Sequence, residues 1–176
     1  MGDVLSQFEE RGVNMFSIDD VVIYTTYGIC KINNIIEYNG QKTYVLSPLG
    51  ETKTEMKLPV ESPLTKLRLF PLMEKDDIVE LINEIPFMEP YWIDRDNDRK
   101  NKFSDIIKSG DRRETLKVIK CIRKHIIDIK DKGRKLHQTD KNCMKDAEKL
   151  LIDEFSYVLN IERNQMEIML NTELEK

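Results

Sequence analysis

The chain has 176 residues, 40% of them hydrophobic and 34% charged, with a net charge of −4. No apolar run approaches the roughly 20 residues of a membrane span, and the overall acidity argues against a general nucleic-acid coat. Cys30, Cys121 and Cys143 are scattered, and with His125 and His137 as the only histidines they offer no zinc-ligand spacing, so no metal or cofactor is expected.

The opening MGDVLSQFEERGVN contains acids and lacks the basic-then-apolar order of a secretory signal, so a cytoplasmic protein is expected. Residues 1–14 show neither capping nor sustained periodicity and are expected to form a flexible extension. Glu10-Arg11-Gly12-Val13 is encodable by purine-rich codons, which raises the alternative of a translated ribosome-binding site with Met15 as the true start.

From Met15 the text changes to VVIYTTYGICKI, IIEYNGQKTYVLS and TKTEMKLPV, short β-branched and aromatic runs separated by Gly, Asn and Pro. Asn39-Gly40 predicts a tight hairpin, because both central positions of a type I′ turn need positive φ. Four or five short strands in some 50 residues suggest a small barrel. After Pro63 the period becomes helical: EKDDIVELINEI places Ile78, Leu81, Ile82 and Ile85 on one face before Pro86 and Pro90 interrupt it.

Asp111 predicts an N-cap, and the following stripe of Leu116, Ile119, Ile122, Ile126 and Ile129 predicts a long amphipathic helix that Gly133 stops. A second helix is expected to open at Thr139, with Cys143, Ala147, Leu150, Leu151, Phe155 and Val158 inward. A shorter one is expected from Glu162 to Leu174. The expected class is therefore α+β, a small β-barrel module followed by an all-α helical domain, joined near residues 62–73.

Charge is uneven along the chain. Residues 1–90 hold 8 basic against 15 acidic side chains, residues 91–140 hold 15 against 9, and residues 141–176 hold 5 against 8. No GxxxxGK[ST], GxGxxG or GxSxG occurs, and neither histidine is expected to act as a general base, so the chain is not expected to be an enzyme. Asp94, Asp96 and Asp98 lack the Gly and distal Glu of a calcium loop, and fit the positive end of a helix dipole instead. Trp92, the sole Trp, stands beside Arg95, Arg99, Lys100 and Lys102. An aromatic flanked by cations suits a wedge inserted between base pairs; the alternative is a core plug beneath a solvated face.

MFSIDDVVIYTTYGICKI, MKLPV, PYWIDRDNDRKNKF, KSGD and LHQTDKNCMKDAEKLLIDEF together, in this order, resemble the CarD/CdnL family of bacterial RNA polymerase-binding transcription regulators. The resemblance implies a Tudor-like module over 15–68 that binds the polymerase β subunit, and a helical DNA-binding domain over 69–176 at the upstream edge of the promoter bubble. By the same resemblance, Lys57, Leu58 and Pro59 are polymerase contacts, and Trp92, Arg95, Arg99, Lys102 and Lys141 are DNA contacts. The histidine-rich step of the family is Tyr24-Thr25-Thr26-Tyr27-Gly28 here, and the loop around Tyr38 to Gly40 is short. A monomer is expected, since no heptad seam is evident. The rival reading is a scaffold that binds polymerase without touching DNA.

Overall fold

The computed structural model describes residues 16–51, 53–130 and 133–176. The expected extension over 1–14 and the alternative start at Met15 lie outside these residues. The first half is a five-stranded antiparallel sheet of β1 (Val21–Tyr24), β2 (Gly28–Tyr38), β3 (Gln41–Pro48), β4 (Met56–Pro59) and β5 (Leu69–Pro71), in the order β4-β3-β2-β1-β5. The predicted hairpin joins β2 to β3, pairing Tyr38 with Gln41 across Asn39 (φ 53°) and Gly40 (φ 71°). A register shift between Ile32 and Asn34 marks a bulge in β2, a device that bends a strand and tightens its twist.

A short helix not foreseen from the sequence, α1 (Pro63–Arg68), carries the chain between the two ends of this order, from β4 to β5. Pro63 occupies its first turn, where a missing N–H costs nothing. β1 is the pivot of the molecule. Val22 and Ile23 are both fully buried, yet as strand neighbours they face opposite ways. Val22 joins Cys30, Ile32, Tyr44, Leu46, Val60 and Leu69 in the core of the sheet module. Ile23 joins Phe70 and the helical residues on the other side.

The second half consists of α2 (Lys75–Glu84), a 3-10 turn (Ile85–Phe87), α3 (Asp96–Lys108), α4 (Arg112–Lys130), α5 (Gln138–Leu159) and α6 (Arg163–Leu174). Asp111 caps α4 as predicted, its Oδ1 accepting from the Glu114 N–H at 2.9 Å. Gly133 (φ 64°) ends it, its N–H donating to Lys130 O and that of Arg134 to Ile129 O. α5 opens at Gln138, one residue before the expected Thr139, and its cap is His137, with the Thr139 N–H donating to His137 Nδ1 at 3.4 Å. Central α4 buries more than the predicted stripe: Leu116 and Ile119 enter the core shared with the sheet, while Val118, Cys121 and Ile122 enter a second cluster with Phe103 and Ile106.

The two halves are clamped. Glu154 of α5, fully buried, accepts from Arg112 Nε and Nη2 at 2.9 Å each and from the Met73 N–H at 3.0 Å. Arg112 also donates to the carbonyls of Gly110 and Pro71, and its guanidinium lies 5.7 Å from the Phe70 ring centroid. Gly110 (φ 72°) is required where Phe70 packs, because a Cβ there would stand 2.6 Å from the ring.

Candidate functional site

Two surfaces gather the residues singled out from the sequence, one on each half. On the sheet, β4 stands at one end of the strand order, hydrogen-bonded to β3 through pairs such as Val45 with Lys57 and Tyr44 with Leu58. An end strand of this kind presents backbone groups to a partner. Lys57 is exposed, and its ammonium sits 4.8 Å from the Tyr38 ring centroid, while Leu58 is half-buried against the module core and Pro59 is half-buried beside it in the strand. Tyr38, itself exposed, thus forms part of the Lys57 surface. The only sequence signal for it is its place beside the hairpin turn.

On the helical half, Trp92 is half-buried and edge-on to Phe103, at 6.5 Å between centroids and 72°. His125 stacks on it at 3.5 Å and 10°, and Arg99 Cζ lies 4.2 Å from its centroid. Two groups this close to one centroid must occupy opposite faces, so the indole is sandwiched and only its rim is left to meet a partner. His125 was not recognised from the sequence, although Ile122, His125, Ile126 and Ile129 have helical spacing and put it beside the buried stripe.

Arg99 departs from the expected DNA-contact role. The residue is 3% exposed. Its Nε and Nη2 grip Asp140 Oδ1 and Oδ2 at 2.9 Å, Nη2 also donates to Asp96 Oδ1 at 2.6 Å, and Nη1 donates to Ile93 O at 2.7 Å. A guanidinium with its donors committed in this way has none to offer a phosphate. Hydrogen bonds from Arg99, and then its charge, hold the Asp96 carboxyl below the usual range, while Asp140 above all raises the Arg99 pKa. Asp140 is the residue the sequence reading missed entirely: an acid in the first turn of a helix ordinarily serves the dipole, and here it is buried to receive Arg99.

The other cations differ. Arg95 is highly exposed and makes only a 3.6 Å ion pair with Asp98. Lys102 on α3 and Lys141 in the first turn of α5 are exposed. The bidentate Arg99–Asp140 pair joins the first turns of α3 and α5, and therefore brings Trp92, Arg95 and Lys141 to one end of the domain. The structure does not bring this group together with β4: the two sets belong to separate modules. Burial raises the Cys121 thiol to about 11, and its Sγ donates to the Tyr91 carbonyl; burial raises Cys143 to about 12. Among the described residues no group of three His, Cys, Asp or Glu side chains is arranged to hold a metal ion, and no helix is long and apolar enough to cross a membrane.

A small bent sheet with a basic end strand, clamped through one of its own strands to a helical bundle, defines an α+β protein built from two cooperating modules. Residues 16–68 match the CarD-like/TRCF RID domain, and residues 92–171 match the CarD C-terminal domain. The chain belongs to the CarD/CdnL family, and its sheet module is Tudor-like. This pairing of domains indicates a transcription regulator that interacts with RNA polymerase, in a family whose members are regulators rather than enzymes. No curated protein matches the chain.

Proposed function

We propose that the chain docks on the β subunit of RNA polymerase through the β4 edge at Lys57, Leu58 and Pro59, and sets the rim of Trp92 against promoter DNA at the upstream edge of the bubble. Arg95, Lys102 and Lys141 contact phosphates, and Arg99 acts from behind by holding the indole. Docking raises the local concentration of DNA binding that is weak by itself, since the chain is acidic overall and Asp98 partly neutralises Arg95. Insertion of the indole rim favours the opened promoter over the closed one, and its effect is bounded by the difference in affinity for those two states. Phosphate contacts carry no base sequence, so promoters respond according to their opening kinetics. The protein works as a monomer.

The observation that carries this reading is the convergence of a half-buried sole Trp with exposed cations at one end of the helical domain, in a chain that matches both CarD domains. The covered faces of Trp92 favour a second reading, in which the indole serves the fold and the helical domain touches no DNA. Open-complex lifetime on a fork-junction promoter with cognate polymerase separates the two, using folded Trp92→Ala and Lys57→Glu variants. Docking with a wedge requires loss of the effect in both; full activity of Trp92→Ala leaves the protein-only scaffold. Salt titration adds a second criterion, since each phosphate contact lowers log K against log salt with a slope of roughly 0.9.

A further inference from the structure

The outward face of α2 and the turn that follows it is used by neither surface described above. α2 buries Ile78, Leu81 and Ile82, and turns Asp76, Val79, Glu80 and Asn83 away from the core. With Glu84 and Phe87 these line an open hollow of about 390 Å³. Phe87 is 85% exposed and Val79 45%. The backbone presenting Phe87 is braced, since Lys120 Nζ donates to Ile85 O at 2.7 Å and to Pro86 O at 2.8 Å. The phenyl ring is therefore held out on fixed structure.

The rim is strongly acidic. Residues 74–89 carry Glu74, Asp76, Asp77, Glu80, Glu84 and Glu89 against Lys75 alone. Glu84 pairs with Arg113, whereas among the described residues no ion pair engages Asp76 or Glu80. An apolar patch rimmed by charge marks an interaction site, and the sign of the rim selects the partner. Phosphates would be repelled. Residues 1–15 hold Asp3, Glu9 and Glu10 against Arg11, so this chain's own N-terminal segment has the wrong charge. A second copy placed face to face would oppose acid with acid.

We propose that this face docks a Lys- or Arg-rich protein segment of the transcription complex, whose apolar anchor side chain packs on Phe87 and Val79 while its cations meet Asp76 and Glu80. It would be a third contact of the regulator, after the β4 edge and the Trp92 end. It lies on the element that leads directly into Tyr91 and Trp92, so the partner would also restrain the segment that presents the indole.

The test places a p-benzoylphenylalanine crosslinker at position 79, and separately at position 57, in the full chain assembled with RNA polymerase holoenzyme on promoter DNA. The expected result is an adduct from position 79 to a Lys- or Arg-rich polypeptide segment mapped by mass spectrometry. Phe87→Ala and Glu80→Lys, both at the surface and checked for folding by circular dichroism, should each lower its yield at least tenfold and leave the position 57 adduct unchanged. Adducts from position 79 to DNA only, no adduct, or a yield indifferent to both substitutions would overturn the proposal. An adduct from position 57 without one from 79 overturns this proposal alone. An adduct from 79 without one from 57 supports it and removes the β4 docking reading, and absence of both overturns the two together.

Discussion

The sheet module and the helical domain are held by contacts of different range. In the sheet, β1 to β4 pair with their neighbours in sequence, and the turn chemistry of Asn39-Gly40 fixes the β2–β3 register. In the helical domain two arginines from the basic segment reach acids far along the chain, Arg99 to Asp140 and Arg112 to Glu154. Both pairs are largely withdrawn from solvent, and both arginines also satisfy backbone carbonyls. Positive charge written in a sequence is therefore not positive charge offered to a polyanion: two of the arginines in the most basic segment act as staples.

The contrast is broken most severely at the clamp between the halves. Glu154→Gln leaves the largely covered Arg112 without its counter-charge and should cost about 3–5 kcal/mol, read by denaturant unfolding. Replacing both partners with Arg112→Met and Glu154→Leu should recover much of that, because an apolar pair of similar volume carries no desolvation penalty. Equal destabilisation of single and double variants would mean that the carbonyl and Met73 N–H bonds, rather than the ion pair, hold the halves together.

Arg99→Met should cost about 3 kcal/mol by the same mechanism. It should also raise acrylamide quenching of Trp92, the sole Trp, because it strips the cation from one face of the indole. Arg99→Lys restores charge without the fork that grips Asp140, and should leave the quenching raised. Unchanged quenching in both variants would show that Phe103 and His125 suffice to hold the ring.

Two glycines sharpen the comparison further. Gly110→Ala meets Phe70 at 2.6 Å at a positive φ and should cost about 2 kcal/mol or more. Gly40→Ala has the same sign of φ with nothing within 4 Å, and should cost about 1 kcal/mol, measured by thermal unfolding. The difference isolates the price of packing the sheet against the helices from that of making a hairpin.

The smallest effect is on pH. Arg99 holds the Asp96 pKa in the folded chain below its ordinary 3.8, so this carboxylate contributes stability that is fully present above pH 3.8 and lost as pH falls through the depressed folded value. Asp96→Asn should flatten the acid limb of the stability profile slightly, since Asp96 lies at the surface where its pairing is screened. A steeper acid limb in the variant would contradict this assignment.

Much of the fold was legible because its signals are local. Alternation and turn residues marked β1 to β4, Asp111 and Gly133 bounded α4, and the helical periods of α2 and α4 were continuous, whereas β5 (Leu69–Pro71) falls in the stretch assigned to the helical domain and joins the sheet only by pairing with β1. The short α1 escaped notice, being six residues with exposed Leu64 and Leu67 and no sustained period. α5 opens at Gln138, one residue before the expected Thr139, because a His in the capping position does what Ser or Asp usually does. For the candidate site, Trp92 and the exposed cations Arg95, Lys102 and Lys141 stood out by type and by family resemblance. Arg99 was grouped with them because it has the same type and the same neighbourhood.

The sequence by itself determined strands β1 to β4, the longer amphipathic helices, the hairpin register and the segregation of charge, since these depend on neighbours within a turn or two. Only the tertiary structure decided that Val22 and Ile23 serve different cores, that Arg99 spends its donors on Asp140, and that the Trp92 indole lies between Arg99 and His125. Those outcomes depend on which groups become neighbours after burial. There an unpaired charge is too costly to leave, so the nearest complementary partner, however distant in sequence, is fixed by the packing of the helices.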